Sequence, residues 1–107
     1  MNTMTAEEFS AEPGVADWRA NDDGAAAYFA TRNFAAGARL VAAIADLAEA
    51  ANHHPDIELK YRGVTVRVVT HSAGGLTHKD VELARDISAA ARDLGIEADT
   101  PRLASGG

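Results

Sequence analysis

The chain has 107 residues, with ten Lys and Arg against sixteen Asp and Glu for a formal net charge of −6. It has no cysteine, which excludes a disulfide framework and a thiolate metal site. No basic stripe is present to neutralise phosphates, which excludes a dedicated nucleic-acid or anionic-membrane binder.

The length fits one domain over residues 1–107, with a core over about 15–95 and loose ends at Met1–Thr5 and Leu103–Gly107. Thr5-Ala6-Glu7-Glu8 reads as a capped helix start, because Glu8 follows Thr5 by three residues. Pro13-Gly14 ends that helix early. A short strand is expected at Trp18–Asn21, and a hairpin turn at Asp22-Asp23-Gly24. A second strand then covers about Ala25–Thr31, although its alanines have weak strand propensity.

Asn33 is placed to cap a long helix. Phe34, Ala38, Val41, Ala45 and Ala48 form one helical stripe, and Leu40, Ile44, Leu47 and Ala51 form another. The two stripes are adjacent, so one side can face a sheet and the other a partner subunit. Arg39, Asp46 and Glu49 interrupt this apolar stretch, which therefore does not read as a membrane span. No signal peptide is recognisable at the N-terminus, so a cytoplasmic protein is the expectation. Pro55 disfavours the helical region for His54, which puts the helix end near His53.

Ile57, Leu59 and Tyr61 alternate with Asp56, Glu58 and Lys60 as a half-buried strand, with Tyr61 expected in the core. After a tight turn at Arg62-Gly63, a fourth strand runs from Val64 to His71. Ala73-Gly74-Gly75 is a loop. Thr77 and Asp80 have capping-box spacing for a last helix, buried through Val81, Ala84, Ile87, Ser88, Ala91 and Leu94 and stopped at Gly95. The order is α-β-β-α-β-β-α. Two hairpins separated by a helix predict an α+β fold, a four-stranded antiparallel sheet with helices packed on one face.

The chemistry concentrates in histidines. His53 and His54 are adjacent before Pro55, and His71 returns at the end of the next apolar run. Histidine titrates nearest neutral pH, so three convergent imidazoles suit proton transfer. Glu49 stands four residues before His53, a spacing that places its carboxylate beside that ring. His54, forced out of the helix, points elsewhere. Taken alone, the pair reads equally well as a polar helix terminus in solvent. A zinc site from three histidines and Glu49 is a third reading. It is weakened by the lack of His-x-x-x-His spacing and by the ~100° between successive helical side chains. Asp80 reads as a helix cap and His78 as solvated. Trp18 reads as a core anchor or as the wall of a site for a flat ligand.

The spacing shifts the balance among these alternatives. Glu49, three residues, His53-His54-Pro55, five residues, Tyr61, nine residues, His71, eight residues and Asp80 resembles the signature of the pterin-4a-carbinolamine dehydratase family. Trp18, the Phe34–Asn52 helix, Thr70-His71, Gly74-Gly75-Leu76-Thr77 and Lys79-Asp80 extend the likeness over about Trp18 to Leu94. The resemblance implies a hydro-lyase that removes water from a 4a-hydroxytetrahydropterin to give a quinonoid dihydropterin in tetrahydrobiopterin recycling. It implies no metal and no organic cofactor. His53, backed by Glu49, would be one acid/base group and His54 a second or a positioning group, while His71 would orient the pterin. Trp18, Asn52, Thr70 and Lys79 are further substrate-pocket candidates. The implied partners are a small pterin and further copies of the chain, as a homodimer or homotetramer. Nucleic acid and membrane are not expected partners. The alternative is a non-enzymatic dimerisation, regulatory or pterin-binding module of the same fold.

Overall fold

Three side chains start the three α-helices among the described residues. Thr5 and Thr77 form complete capping boxes with Glu8 and Asp80, ahead of α1 (Ala6–Ser10) and α3 (His78–Asp93). The Asn33 side chain accepts the Ala36 N–H at 2.8 Å ahead of α2 (Phe34–Ala51). Each cap satisfies a backbone donor that the first turn leaves open. These elements come from a computed structural model that describes residues 2–103.

The strands are β1 (Arg19–Asn21), β2 (Gly24–Ala30), β3 (Asp56–Lys60), β4 (Gly63–Val68) and β5 (Glu97–Ala98). The order is β1-β2-β4-β3, all antiparallel, and β5 adds to β2 beyond the end of β1. The sheet thus has five strands, not the expected four. The missed strand is two residues long, too short to show alternation, and it forms only where Ala98 meets Phe29. The rest of the α+β expectation holds.

One face of the sheet carries the core. Ala25, Ala27 and Phe29 on β2 and Val64, Val66 and Val68 on β4 pack with Leu40 and Ile44 of α2 and Val81, Ala84 and Ile87 of α3. Each of the Val, Leu, Ile and Phe side chains contributes about 1.5–3 kcal/mol on burial. The alanines of β2 keep this central strand thin, so two helices can lie against it. Gly37 serves the same end on α2: an added Cβ would stand 2.6 Å from Leu59 Cδ1. Trp18 belongs to the core, edge-on to Phe29 with ring centroids 6.2 Å apart.

Several expectations are corrected. The core reaches Phe9 and Ile96, beyond the span of about 15–95. Met4 and Thr5 are tied down rather than loose: the Met4 N–H donates to the Leu76 carbonyl at 2.8 Å, and Thr5 caps α1. Met1 and residues 104–107 lie outside the described residues. Tyr61 is not core; it sits in the β3–β4 turn, 64 % exposed, because two residues are needed to reverse the chain between Lys60 and Gly63. Leu94 is also exposed, as the C-cap of α3. Strand β4 stops at Val68, and His71 opens a 3-10 turn over His71–Ala73. On α2, Gly37, Leu40, Ile44 and Ala48 are buried and Val41 and Leu47 partly covered, while Phe34, Ala38, Ala45 and Ala51 remain exposed. Among the described residues no helix is long and apolar enough to cross a membrane.

Candidate active site

The site forms where the C-terminus of α2 meets the N-terminus of α3. Asn52 ends α2 in the left-handed region, with φ 49 and ψ 44. Asparagine tolerates this conformation better than most residues. The His53 N–H then turns back to the Ala48 carbonyl at 3.1 Å. The helix therefore ends two residues before the expected His53, and Asn52 supplies the bend.

That bend sends the two histidines to different carboxylates. His53 Nε2 lies 2.6 Å from Asp80 Oδ1. The His53 side chain is 12 % exposed and that of Asp80 is 0 % exposed. The second Asp80 oxygen, Oδ2, accepts from the Thr70 hydroxyl at 2.8 Å and from the Thr77 N–H at 2.9 Å. Since the Thr70 hydroxyl donates to Asp80, it accepts from the Thr77 hydroxyl, 2.8 Å away. With Asp80 assigned as a carboxylate, His53 Nε2 carries the proton of that pair. Nδ1 is left as the ring nitrogen not committed to Asp80.

His54 instead pairs through Nε2 with Glu49 Oε2. Both side chains are largely exposed, 56 % and 75 %. The expected pairing of Glu49 with His53 is thus corrected. Four-residue spacing assumes that the helix continues to His53, whereas the left-handed Asn52 rotates His53 away and lets His54 fold back over Glu49.

His71 follows Thr70, the residue bonded to Asp80, and is therefore tied to the same cluster through one peptide bond. Its own surroundings differ. It borders an open cavity of about 300 Å3 shared with Asp22, Asp23, Val69, Gly74 and Gly75. His53 borders another, of about 210 Å3, with Ala51, Lys79, Glu82, Leu83 and Asp86. Among the described residues His71 makes no hydrogen bond or ion pair to His53 or His54. Lys79 is brought to the His53 cavity, and Thr70 lies under the site as a buried hydrogen-bonding residue. Trp18 is not brought there: its indole N–H donates to Ser88 Oγ at 3.0 Å inside the core. His78 is exposed and ion-pairs with Glu12 at 3.7 Å.

Asp80 is the residue the sequence reading undervalued. Its capping role is real, but one oxygen suffices for it, and the other holds His53. The available signal was the pair Thr70 and Asp80 flanking His71; nothing in the spacing shows that α3 starts beside the end of α2. Among the described residues no three His, Asp or Glu side chains gather in a way that could hold a metal ion.

Comparison with known proteins agrees with this architecture. A solved structure titled as a transcriptional coactivator/pterin dehydratase from Brucella melitensis superimposes with a TM-score of 0.75 at 29 % identity. That match covers 84 % of this chain and 99 % of the other. A protein of Nocardia farcinica named "Putative pterin-4-alpha-carbinolamine dehydratase" is 45 % identical over 76 residues, 71 % of this chain and 80 % of its own. One of the same name from Chloroflexus aurantiacus is 43 % identical over 82 residues, 77 % of this chain and 85 % of its own. A profile of the family described as pterin 4 alpha carbinolamine dehydratase matches residues 2–90, and the chain belongs to that family.

Proposed function

We propose that the protein is a 4a-hydroxytetrahydropterin dehydratase acting by histidine acid/base catalysis. The observation that carries this reading is the His53–Asp80 contact at 2.6 Å, next to His54, in a chain of the dehydratase family. Dehydration needs one proton delivered to the 4a-hydroxyl as the C4a–O bond breaks, and one removed from ring nitrogen N5. Water leaves and the quinonoid dihydropterin remains, so protons balance without an oxidant. His53, its Nε2–H held by Asp80, exchanges a proton through Nδ1. His54, steered by Glu49, is the second acid/base or positioning group, and His71 orients the pterin from the neighbouring cavity. Lys79 borders the His53 cavity and serves as a further contact. Tetrahydrobiopterin recycling in the cytoplasm is the physiological setting that this chemistry supports.

Stopped-flow measurement with freshly generated carbinolamine tests the activity. Acceleration above the spontaneous rate is expected. No acceleration at micromolar protein would sink the reading and favour a regulatory or pterin-binding module, a role in keeping with the double title of the Brucella structure.

A homodimer or homotetramer is part of the same proposal. Phe34 is 51 % exposed and continues along α2 into the exposed Ala38, Ala42 and Ala45. Symmetric pairing of that face would bury it. Sedimentation giving only monomer at micromolar concentration would remove this part.

A further inference from the structure

The end of the sheet away from the histidines carries a second candidate site. The β2–α2 connection, the β3–β4 turn and the C-terminal 3-10 turn (Thr100–Leu103) border an open groove of about 450 Å3, lined by Ala30, Arg32, Tyr61, Arg62 and Arg102. Ala25 pairs with Val68 at the histidine end of the sheet and Ala30 with Gly63 at the groove end. Five residue steps along β4 put about 17 Å between these ends.

Three of the ten basic residues of an acidic chain meet here. Arg32 and Arg62 are held by the backbone: the Thr31 and Arg32 N–H groups donate to the Arg62 carbonyl at 3.0 and 3.4 Å. Arg32 has a φ of 68, a left-handed conformation that is costly for a residue with a side chain. Among the described residues neither Arg32 nor Arg62 forms an ion pair. The Arg102 guanidinium lies 5.5 Å from the centre of the Tyr28 ring.

Tyr28 is 6 % exposed and its hydroxyl has no hydrogen-bond partner among the described residues. That hydroxyl is not enclosed by protein. Tyr28 borders an adjoining cavity of about 280 Å3 together with Tyr61, Arg62 and Arg102. Gly63 makes room for it, since an added Cβ would stand 2.2 Å from the hydroxyl oxygen. Two carboxylates border the region: Glu58 is engaged with Lys60 at 3.6 Å, and Glu97 lies beyond Arg32.

We propose that this groove binds a phosphate monoester of a small planar organic molecule. Guanidinium forks match phosphate oxygens in pairs, and the two of Arg32 and Arg62 suit a dianion better than a single carboxylate. The Tyr28 hydroxyl adds a neutral hydrogen-bond partner. The exposed Tyr61 ring offers a flat wall for the organic part, and the volume exceeds what a lone phosphate needs. Arg102 lies outside the residues 2–90 that match the family, so the groove is completed by a segment beyond that match. The proposal is independent of the dehydratase reading.

Calorimetric titration of the whole protein with phenyl phosphate tests it, beside inorganic phosphate and benzyl alcohol. Saturable one-to-one binding is expected, with phenyl phosphate at least tenfold tighter than either fragment. Arg32→Gly keeps the left-handed backbone accessible and removes the guanidinium; it should weaken binding roughly tenfold or more, as should Arg62→Gln. Tyr28→Phe should weaken it by a few-fold. His54→Ala should bind as the wild type does. No saturable binding to the wild type at about 10 mM phenyl phosphate would overturn the proposal. So would unchanged affinity in both folded arginine variants, or a loss confined to His54→Ala.

Discussion

His53 and His54 are neighbours in sequence and opposites in environment. His53 is nearly buried and rests on Asp80, whose carboxylate also accepts from Thr70 and Thr77. His54 stands in solvent with Glu49 as its sole hydrogen-bond partner among the described residues. An exposed ion pair contributes about 0–1 kcal/mol, because water screens it and two long side chains lose freedom. A buried carboxyl group held by three partners cannot leave its position without leaving those groups unsatisfied. The same kind of pair is therefore a rigid part of the fold at His53 and an adjustable surface contact at His54. A fixed ring orientation favours proton transfer, and the first arrangement supplies it more firmly than the second.

The sharpest way to break the comparison is to remove each ring in turn. His53→Ala should lower kcat/KM by about 10²–10⁴-fold, the range of a general acid or base, mainly through kcat. His54→Ala should cost less. Stopped-flow rates decide this, with circular dichroism to check the fold. If His54→Ala were the more damaging, the buried pair would not be the centre of the chemistry.

Asp80→Asn probes the support. One oxygen and one NH2 now meet three donors, so a buried mismatch of about 1–3 kcal/mol is expected, on top of a weakened cap worth about 0.5–2 kcal/mol. Melting should fall by roughly 5–20 °C. Activity at a temperature where the variant is folded should also fall, by about tenfold or more, because the His53 ring loses its orientation. Unchanged kcat in a destabilised but folded variant would confine Asp80 to capping.

The smallest effect is expected at the surface. Glu49→Gln should leave melting unchanged to within about 0.5 kcal/mol and reduce kcat/KM by less than about tenfold. His78→Ala, which removes a ring that ion-pairs only with Glu12 among the described residues, should leave the rate unaffected. A Glu49→Gln loss as large as that of Asp80→Asn would erase the distinction between the two pairs.

Much of this molecule is legible in local chemistry. The three helix starts at Thr5, Asn33 and Thr77 follow from single polar side chains and their spacing. The hairpin at Asp22-Asp23 and the alternation in β3 and β4 do too. The polar positions around His53-His54-Pro55 were enough to point to the family. These features depend on residues within about one turn or one strand of each other, so the chain order contains them.

What only the tertiary structure decided depends on residues far apart in the chain. The carboxylate that serves His53 is 27 residues away, not four, because Asn52 reverses the chain and α2 packs against α3. Tyr61 looks like a strand residue by alternation, but the β3–β4 turn takes it. Strand β5 exists because β2 has an edge left over beyond β1. The gathering of Arg32, Arg62 and Arg102 likewise needs three separate segments to meet at one end of the sheet. Periodicity reports which face of an element is apolar; which side chains meet across elements is set by packing, and packing is a property of the whole chain.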